Sequence, residues 1–244
     1  MAATNLLKGF PLRHARWFKS KVSPPAENSF TVPGIIHSRI APTATYSPWL
    51  SDDRFMDVYE DVKSHTLVDI YRCYELWTLA KQLPEGAILE VGVWRGGTGA
   101  ILAAANEGRR VYLADTFTGV VKAGSQDTRY KGGEHADTSK GAVLELLESL
   151  GLQAIVLEGV FPDETGTRVL EPIAMLHCDV DAYESTRDIV LWTLPRLVRG
   201  GVMVFDDYGF SGCEGVTTLC NELRGDRSLL FLHNLNGHAI FVKL

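Results

Sequence analysis

The segment that most restricts the fold is Glu90-Val91-Gly92-Val93-Trp94-Arg95-Gly96-Gly97-Thr98-Gly99. It follows the apolar run Ala87–Val91 and opens an alanine-rich stretch that continues through Ala105, so it reads as strand, glycine turn, helix. Glycines let the backbone turn tightly and let a ligand approach the main chain closely. Corners of this kind sit where open parallel sheets bind ligands, beyond the carboxyl ends of the strands.

The same alternation continues downstream. Apolar runs at Arg110–Ala114, Ala154–Leu157, Ile173–Cys178 and Val202–Phe205 predict further strands, and Lys140–Leu150, Tyr183–Thr193 and Gly215–Leu223 predict helices. Wholly apolar strands alternating with helices indicate an α/β protein with a mostly parallel sheet covered on both faces. Leu229–His233 and His238–Val242 flank Asn236-Gly237, two residues that tolerate positive φ, and predict a C-terminal antiparallel hairpin that completes seven strands. Upstream, Phe55, Tyr59 and Val62, then Leu67, Ile70, Tyr71 and Tyr74, recur at the three- and four-residue steps of amphipathic helices. Pro11, Pro24, Pro25, Pro33, Pro42 and Pro48 prevent residues 1–50 from forming one long helix. The chain therefore divides into an N-terminal arm, residues 1–50, and one sizeable domain, residues 51–244.

Charge and cysteine content narrow the function. The net charge is -6, and no long Lys/Arg run follows the first stretch, which argues against general nucleic-acid binding. Cys73, Cys178, Cys213 and Cys220 show no CxxC pair and read as free thiols of a reducing compartment. No apolar run approaches the ~20 residues that span a bilayer, and the basic, Leu- and Trp-containing start lacks the uninterrupted apolar core of an export signal. The expectation is a cytoplasmic protein without a membrane partner.

Two constellations point to chemistry. In the glycine loop the spacing of Gly92, Gly96 and Gly97 does not match the G-x-G-x-x-G of dinucleotide sites. Glu90 would be unhelpful beside a pyrophosphate but suits the cationic ammonium of S-adenosylmethionine. Asp115, at the end of the second strand, can accept hydrogen bonds from ribose hydroxyls in either cofactor class. An NAD-dependent oxidoreductase and a purely structural corner remain the alternatives at this point. The second constellation is Asp179 and Asp181 after the fourth strand and Asp206-Asp207 after the fifth. One helix plus one strand separates them, which in a parallel sheet brings both tips to the same edge. Carboxylates converging there repel one another unless protons or a cation compensate. All-oxygen ligation favours a hard divalent ion, Mg²⁺ first, with Mn²⁺ or Ca²⁺ as alternatives. Helix capping is the competing role, and it would suit Asp181, just ahead of Tyr183–Thr193.

From Thr45 to Leu244 the motifs TYSPW, DRF, EVGVWRGGT, ADTF, EGVFPDE, DVDAYESTRD and GGVMVFDDY, in this order, resemble the macrocin O-methyltransferase family of macrolide-sugar and aminocoumarin-sugar enzymes. The resemblance implies a Rossmann-like class I fold, Mg²⁺, and methyl transfer from S-adenosylmethionine to a hydroxyl of a glycosylated natural product. It implies Asp179, Asp206 and Asp207 as metal ligands and Asp181 as general base. Around the cofactor it implies Glu90, Gly92, Trp94, Gly96, Gly97, Thr98, Asp115, Thr116, Phe117, Ser139 and Phe161. Tyr46 and Trp49 match a lid motif, with aromatic packing of the arm as the alternative, and a homo-oligomer is the family expectation. The chain departs from the pattern at His177-Cys178, where the family often has Arg-Leu. Loop Val120–Asp137 carries no acceptor-specific motif, which leaves a phenol or catechol acceptor open. A binding protein that keeps the fold is disfavoured, since a degenerate site has no reason to retain four carboxylates. His135 and His238 are expected to be solvated or hydrogen-bonded bystanders.

Overall fold

The structure, a computed structural model, describes residues 46–244 apart from Glu107, together with the backbone of two short strands, β1 (Ala26–Asn28) and β2 (Ile35–His37). The two pair antiparallel, with Ala26 opposite His37, and lie in a unit of their own, Met1–Pro48. Residues 1–25, 29–34 and 38–45 of the proline-broken arm lie outside the described residues.

The second unit, Trp49–Leu244, begins with a 3-10 turn at Pro48–Ser51 and continues through α1 (Asp53–Val62) and α2 (Ile70–Ala80). Aspartates cap both helices: Asp52 accepts from the Phe55 amide, and Asp69 accepts from the amides of Tyr71 and Arg72. The predicted alternation then follows as β3 (Ala87–Val91), α3 (Gly97–Ala105), β4 (Val111–Asp115), α4 (Lys140–Ser149), β5 (Ile155–Glu158), β6 (Ile173–Cys178), α5 (Tyr183–Thr193), β7 (Leu197–Phe205) and α6 (Glu214–Leu223). The chain ends in β8 (Leu229–His233) and β9 (Ala239–Lys243).

Seven strands form one sheet in the order β5-β4-β3-β6-β7-β9-β8, parallel through β7, with β9 and β8 added antiparallel. This is the expected class I arrangement. The strand order reverses between β3 and β6, which opens a crevice at their carboxyl ends. Side chains alternate between two cores. Ile88, Leu113, Met175, Val204 and Ile240 pack beneath the first four helices, with Phe55, Trp77, Ile101 and Val143. Leu89, Tyr112, Leu176, Met203 and Phe241 face the other side, with Ile189, Val190, Val216 and Leu219.

Beyond one-residue shifts at the ends of other elements, two features differ from expectation for physical reasons. β7 begins at Leu197 rather than Val202, running through Gly200-Gly201 past an irregularity in its pairing with β6. The final hairpin turn spans residues 234–238, and only Gly237 takes positive φ (104°); Asn236 instead accepts the His238 amide through its side chain. No described helix is long and apolar enough to cross a membrane. All four cysteines are buried free thiols.

Candidate active site and metal centre

Four of the parallel strands end in a non-glycine residue with a left-handed backbone close behind them: Trp94 (φ 48°) after β3, Phe117 (φ 54°) after β4, Asp181 (φ 62°) after β6 and Asp207 (φ 61°) after β7. Such conformations are costly for bulky residues and persist where surrounding structure enforces them, commonly at functional sites. Here they turn the chain sharply around one cavity. Its walls include Gly92, Trp94 and Thr98 of the glycine loop, Asp115 and Thr116 after β4, and Phe161. Asp179, Asp181, Asp206 and Asp207 line the same cavity.

Backbone proximity explains the glycine loop. A Cβ on Gly92 would lie 1.7 Å from the Asp179 carbonyl oxygen, so only glycine lets the β3 and β6 tips meet. A Cβ on Gly97 would press on the His65 carbonyl, which accepts the Gly97 amide at 3.0 Å. Gly96 packs against Val143 of α4. Gly96 and Gly97 thus shape the turn from behind the cavity wall. Asp115 braces the loop: Oδ2 accepts the amides of Val93 (2.7 Å) and Trp94 (2.8 Å), and Oδ1 accepts that of Phe117 (2.7 Å). The Trp94 indole donates to Asp137, and the Thr138 hydroxyl donates to the Trp94 carbonyl, tying the loop to the segment before α4.

Other expected residues sit apart from the cavity. Ser139 is exposed and caps α4 by accepting the Ala142 amide. Phe117 is buried behind the wall. Glu90 is fully buried on the α3 side of the sheet, where Gly99 leaves room for it, and its Oε1 lies 2.8 Å from His177 Nδ1. Trp49 is buried against α2, edge-on to Tyr71 at 4.9 Å and to Tyr74 at 6.2 Å. Tyr46 is exposed and belongs to the first unit.

The carboxylates converge as expected. Asp179, Asp206 and Asp207 each offer an oxygen within 4.8 Å of the others, and Asp181 and Asp207 group likewise with the Cys213 sulfur. Burial, then the charges of Asp206, Asp207 and Asp181, push the Asp179 carboxyl well above the usual carboxylate range. Burial and the neighbouring Asp206 and Asp181 push Asp207 up to about 8. Asp206 goes the other way: burial opposes its charge, but the adjacent His238 ring and the Arg72 guanidinium hold it well below the ordinary value. Three oxygen donors, two of which hold protons against their neighbours' negative charge, fit a hard divalent cation.

The family model described as macrocin-O-methyltransferase matches residues 58–233. The chain belongs to this family. The chain is 31% identical over 172 residues to an 8-demethyl-8-(2,3-dimethoxy-alpha-L-rhamnosyl)-tetracenomycin-C 4'-O-methyltransferase of Streptomyces olivaceus, covering 62% of this chain and 65% of that enzyme, just under two thirds of its length. It is 31% identical to a mycinamicin III 3''-O-methyltransferase of Micromonospora griseorubida, covering 62% and 68%. Among solved structures, the O-methyltransferase NovP aligns with a TM-score of 0.63 at 25% identity, covering 73% of this chain and 82% of that one.

Within this macrocin O-methyltransferase family member, the residues that sequence reasoning missed form a buried polar chain beside the carboxylates. Arg72 Nη1 donates to Asp206 Oδ1 (2.5 Å) and Nε donates to Asp69 Oδ2 (2.9 Å). His238, expected as a bystander, is fully buried, with Nε2 3.1 Å from Asp206 Oδ1 and Nδ1 2.5 Å from Glu75 Oε2. Glu75 also accepts from Asn234 and Asn236 of the hairpin turn. A signal existed: Glu90, His177 and His238 interrupt runs that are otherwise apolar, each on the face shared with Val204 and Ile240. From the loop without a recognised motif, Tyr130 is buried at the cavity, where burial and the neighbouring Asp181 push its hydroxyl well above the ordinary phenol range, and His135 and Arg129 join the lining.

Proposed function

We propose that the protein transfers a methyl group from S-adenosylmethionine to a hydroxyl of a small-molecule acceptor, a sugar on a glycosylated natural product, in a reaction that depends on a divalent ion. The observation that carries this reading is the meeting of three carboxylates from the β6 and β7 tips in the cavity that also holds the glycine loop. The named relatives, which by their own descriptions methylate a rhamnosyl-tetracenomycin C and mycinamicin III, support the acceptor class.

In this mechanism the glycine loop, Thr98 and Thr116 bind the methyl donor, and Asp115 keeps the loop in its open turn. Asp179, Asp206 and Asp207 would hold the ion, Mg²⁺ in the first instance, which when bound supplies Lewis acidity that lowers the pKa of an acceptor hydroxyl. Asp181 accepts the hydroxyl proton as the new oxygen–carbon bond forms and the sulfonium–methyl bond breaks. Tyr130 keeps Asp181 aimed into the cavity. Residues 1–50 are an arm appended to a catalytic domain of residues 51–244, and the enzyme works in the cytoplasm as a homo-oligomer.

The test is a panel of glycosides and catechols incubated with S-adenosylmethionine, with and without Mg²⁺. Methylated glycoside formed only with Mg²⁺ supports the proposal. Turnover of catechols alone would move the acceptor to the phenol class, and binding of NAD in place of S-adenosylmethionine would overturn the reading.

A further inference from the structure

Arg72 stands out among the buried charges. It lies in the first turn of α2, is 6% exposed, and its guanidinium faces three carboxylates: Asp69 (2.9 Å), Asp206 (2.5 Å) and Asp207 (3.6 Å). The ring of Phe210 covers it, 5.0 Å from Cζ to centroid. A guanidinium does not lose its proton under ordinary conditions, and a buried one is stable only beside compensating charge. Its two contacts with Asp206 and Asp207 fall on residues that would ligate the ion. His238, the last residue of the hairpin turn ahead of β9, approaches the same Asp206 oxygen, Oδ1.

We propose that Arg72 is a positioning residue that serves as the internal counter-cation of the carboxylate cluster: it stands in for positive charge when no divalent ion is bound, and lowers the affinity for that ion when one binds. The proposal rests on the divalent-ion reading above. Two cations sharing Asp206 and Asp207 repel each other, so the ion binds less tightly than the carboxylates alone would hold it. The gain is a metal-free site that stays folded and an ion that exchanges readily.

Removing the charge separates this role from that of a brace. An ion that binds only the folded state stabilises it by an amount that grows as its Kd falls. We compare wild type, Arg72→Gln and Arg72→Lys by Mn²⁺ titration, reading free Mn²⁺ by electron paramagnetic resonance, and by thermal unfolding with and without Mn²⁺. In Arg72→Gln the metal-free melting temperature should fall, Mn²⁺ should raise it by more than it raises wild type, and the Mn²⁺ Kd should tighten about tenfold. Arg72→Lys, which keeps the charge, should stay near wild type in Mn²⁺ affinity. Equal destabilisation of Arg72→Gln with and without Mn²⁺, or an unchanged or weaker Mn²⁺ affinity, would overturn the proposal and leave a structural brace. If Arg72→Gln is soluble only when purified with Mn²⁺ and unfolds on chelation, the proposal stands; insolubility in both conditions overturns it. Failure of the wild type to bind Mn²⁺ is a distinct result, which removes the metal reading itself and this proposal with it.

Discussion

Asp181 and Gly92 carry the sharpest residue-level consequences. Asp181→Asn keeps the shape of the side chain but cannot take a proton; turnover should fall by roughly 10²- to 10⁴-fold while Mn²⁺ still binds. Near-wild-type turnover with the metal retained would remove Asp181 as the base. Gly92→Ala places a methyl group against the Asp179 carbonyl and should destabilise the fold by about 3 kcal/mol or more, measured by denaturant unfolding. Asp207 sets a pH dependence. Its carboxyl is raised from 3.8 to about 8 in the folded, metal-free protein, so the folded state binds more protons than the unfolded chain between those values. Stability is therefore greatest at the acid end of this window and is lost as pH rises through it. Thermal unfolding of metal-free protein should show that decline, Asp207→Asn should flatten it, and a metal-free wild type that gains stability toward pH 8 would contradict the assignment. The carboxylates and the glycine loop were readable from sequence because they lie at strand ends defined by local pattern. Arg72 was not, because its partner Asp206 is distant in the chain and nothing near it marks the contact. Asp115 was read for its partner in a ligand, whereas three of its hydrogen bonds go to backbone amides.

At the scale of elements, near-continuous apolar runs made β3 and β6 legible to the residue, since strands buried on both faces leave no polar interruption except for a reason. The glycine pair in β7 hid its first half, because Gly-Gly reads as a break where the sheet tolerates an irregular register. The hairpin turn was taken as tighter than it is: Asn236 serves as a side-chain acceptor, and the turn is set by Glu75 of α2. That contact could not be read from the turn itself. The 3-10 turn at Pro48–Ser51 yields a prediction at this scale. Trp49→Ala should cost about 3 kcal/mol of stability by removing a buried aromatic from the α2 interface, with little change in acceptor KM. Unchanged stability with a raised acceptor KM would favour the lid role instead.

For the whole molecule, the sheet's switch point brings the glycine loop and the carboxylate cluster to one crevice, and the buried Arg72–Asp206–His238–Glu75 chain ties that cluster to α2 and the terminal hairpin. The account stands on that shared location, and its most direct test is turnover of a glycoside acceptor before and after exhaustive chelation. It predicts that activity disappears with the ion and returns on adding Mg²⁺, with S-adenosylhomocysteine still bound by the chelated protein. Full methylation rates in the chelated enzyme would contradict it.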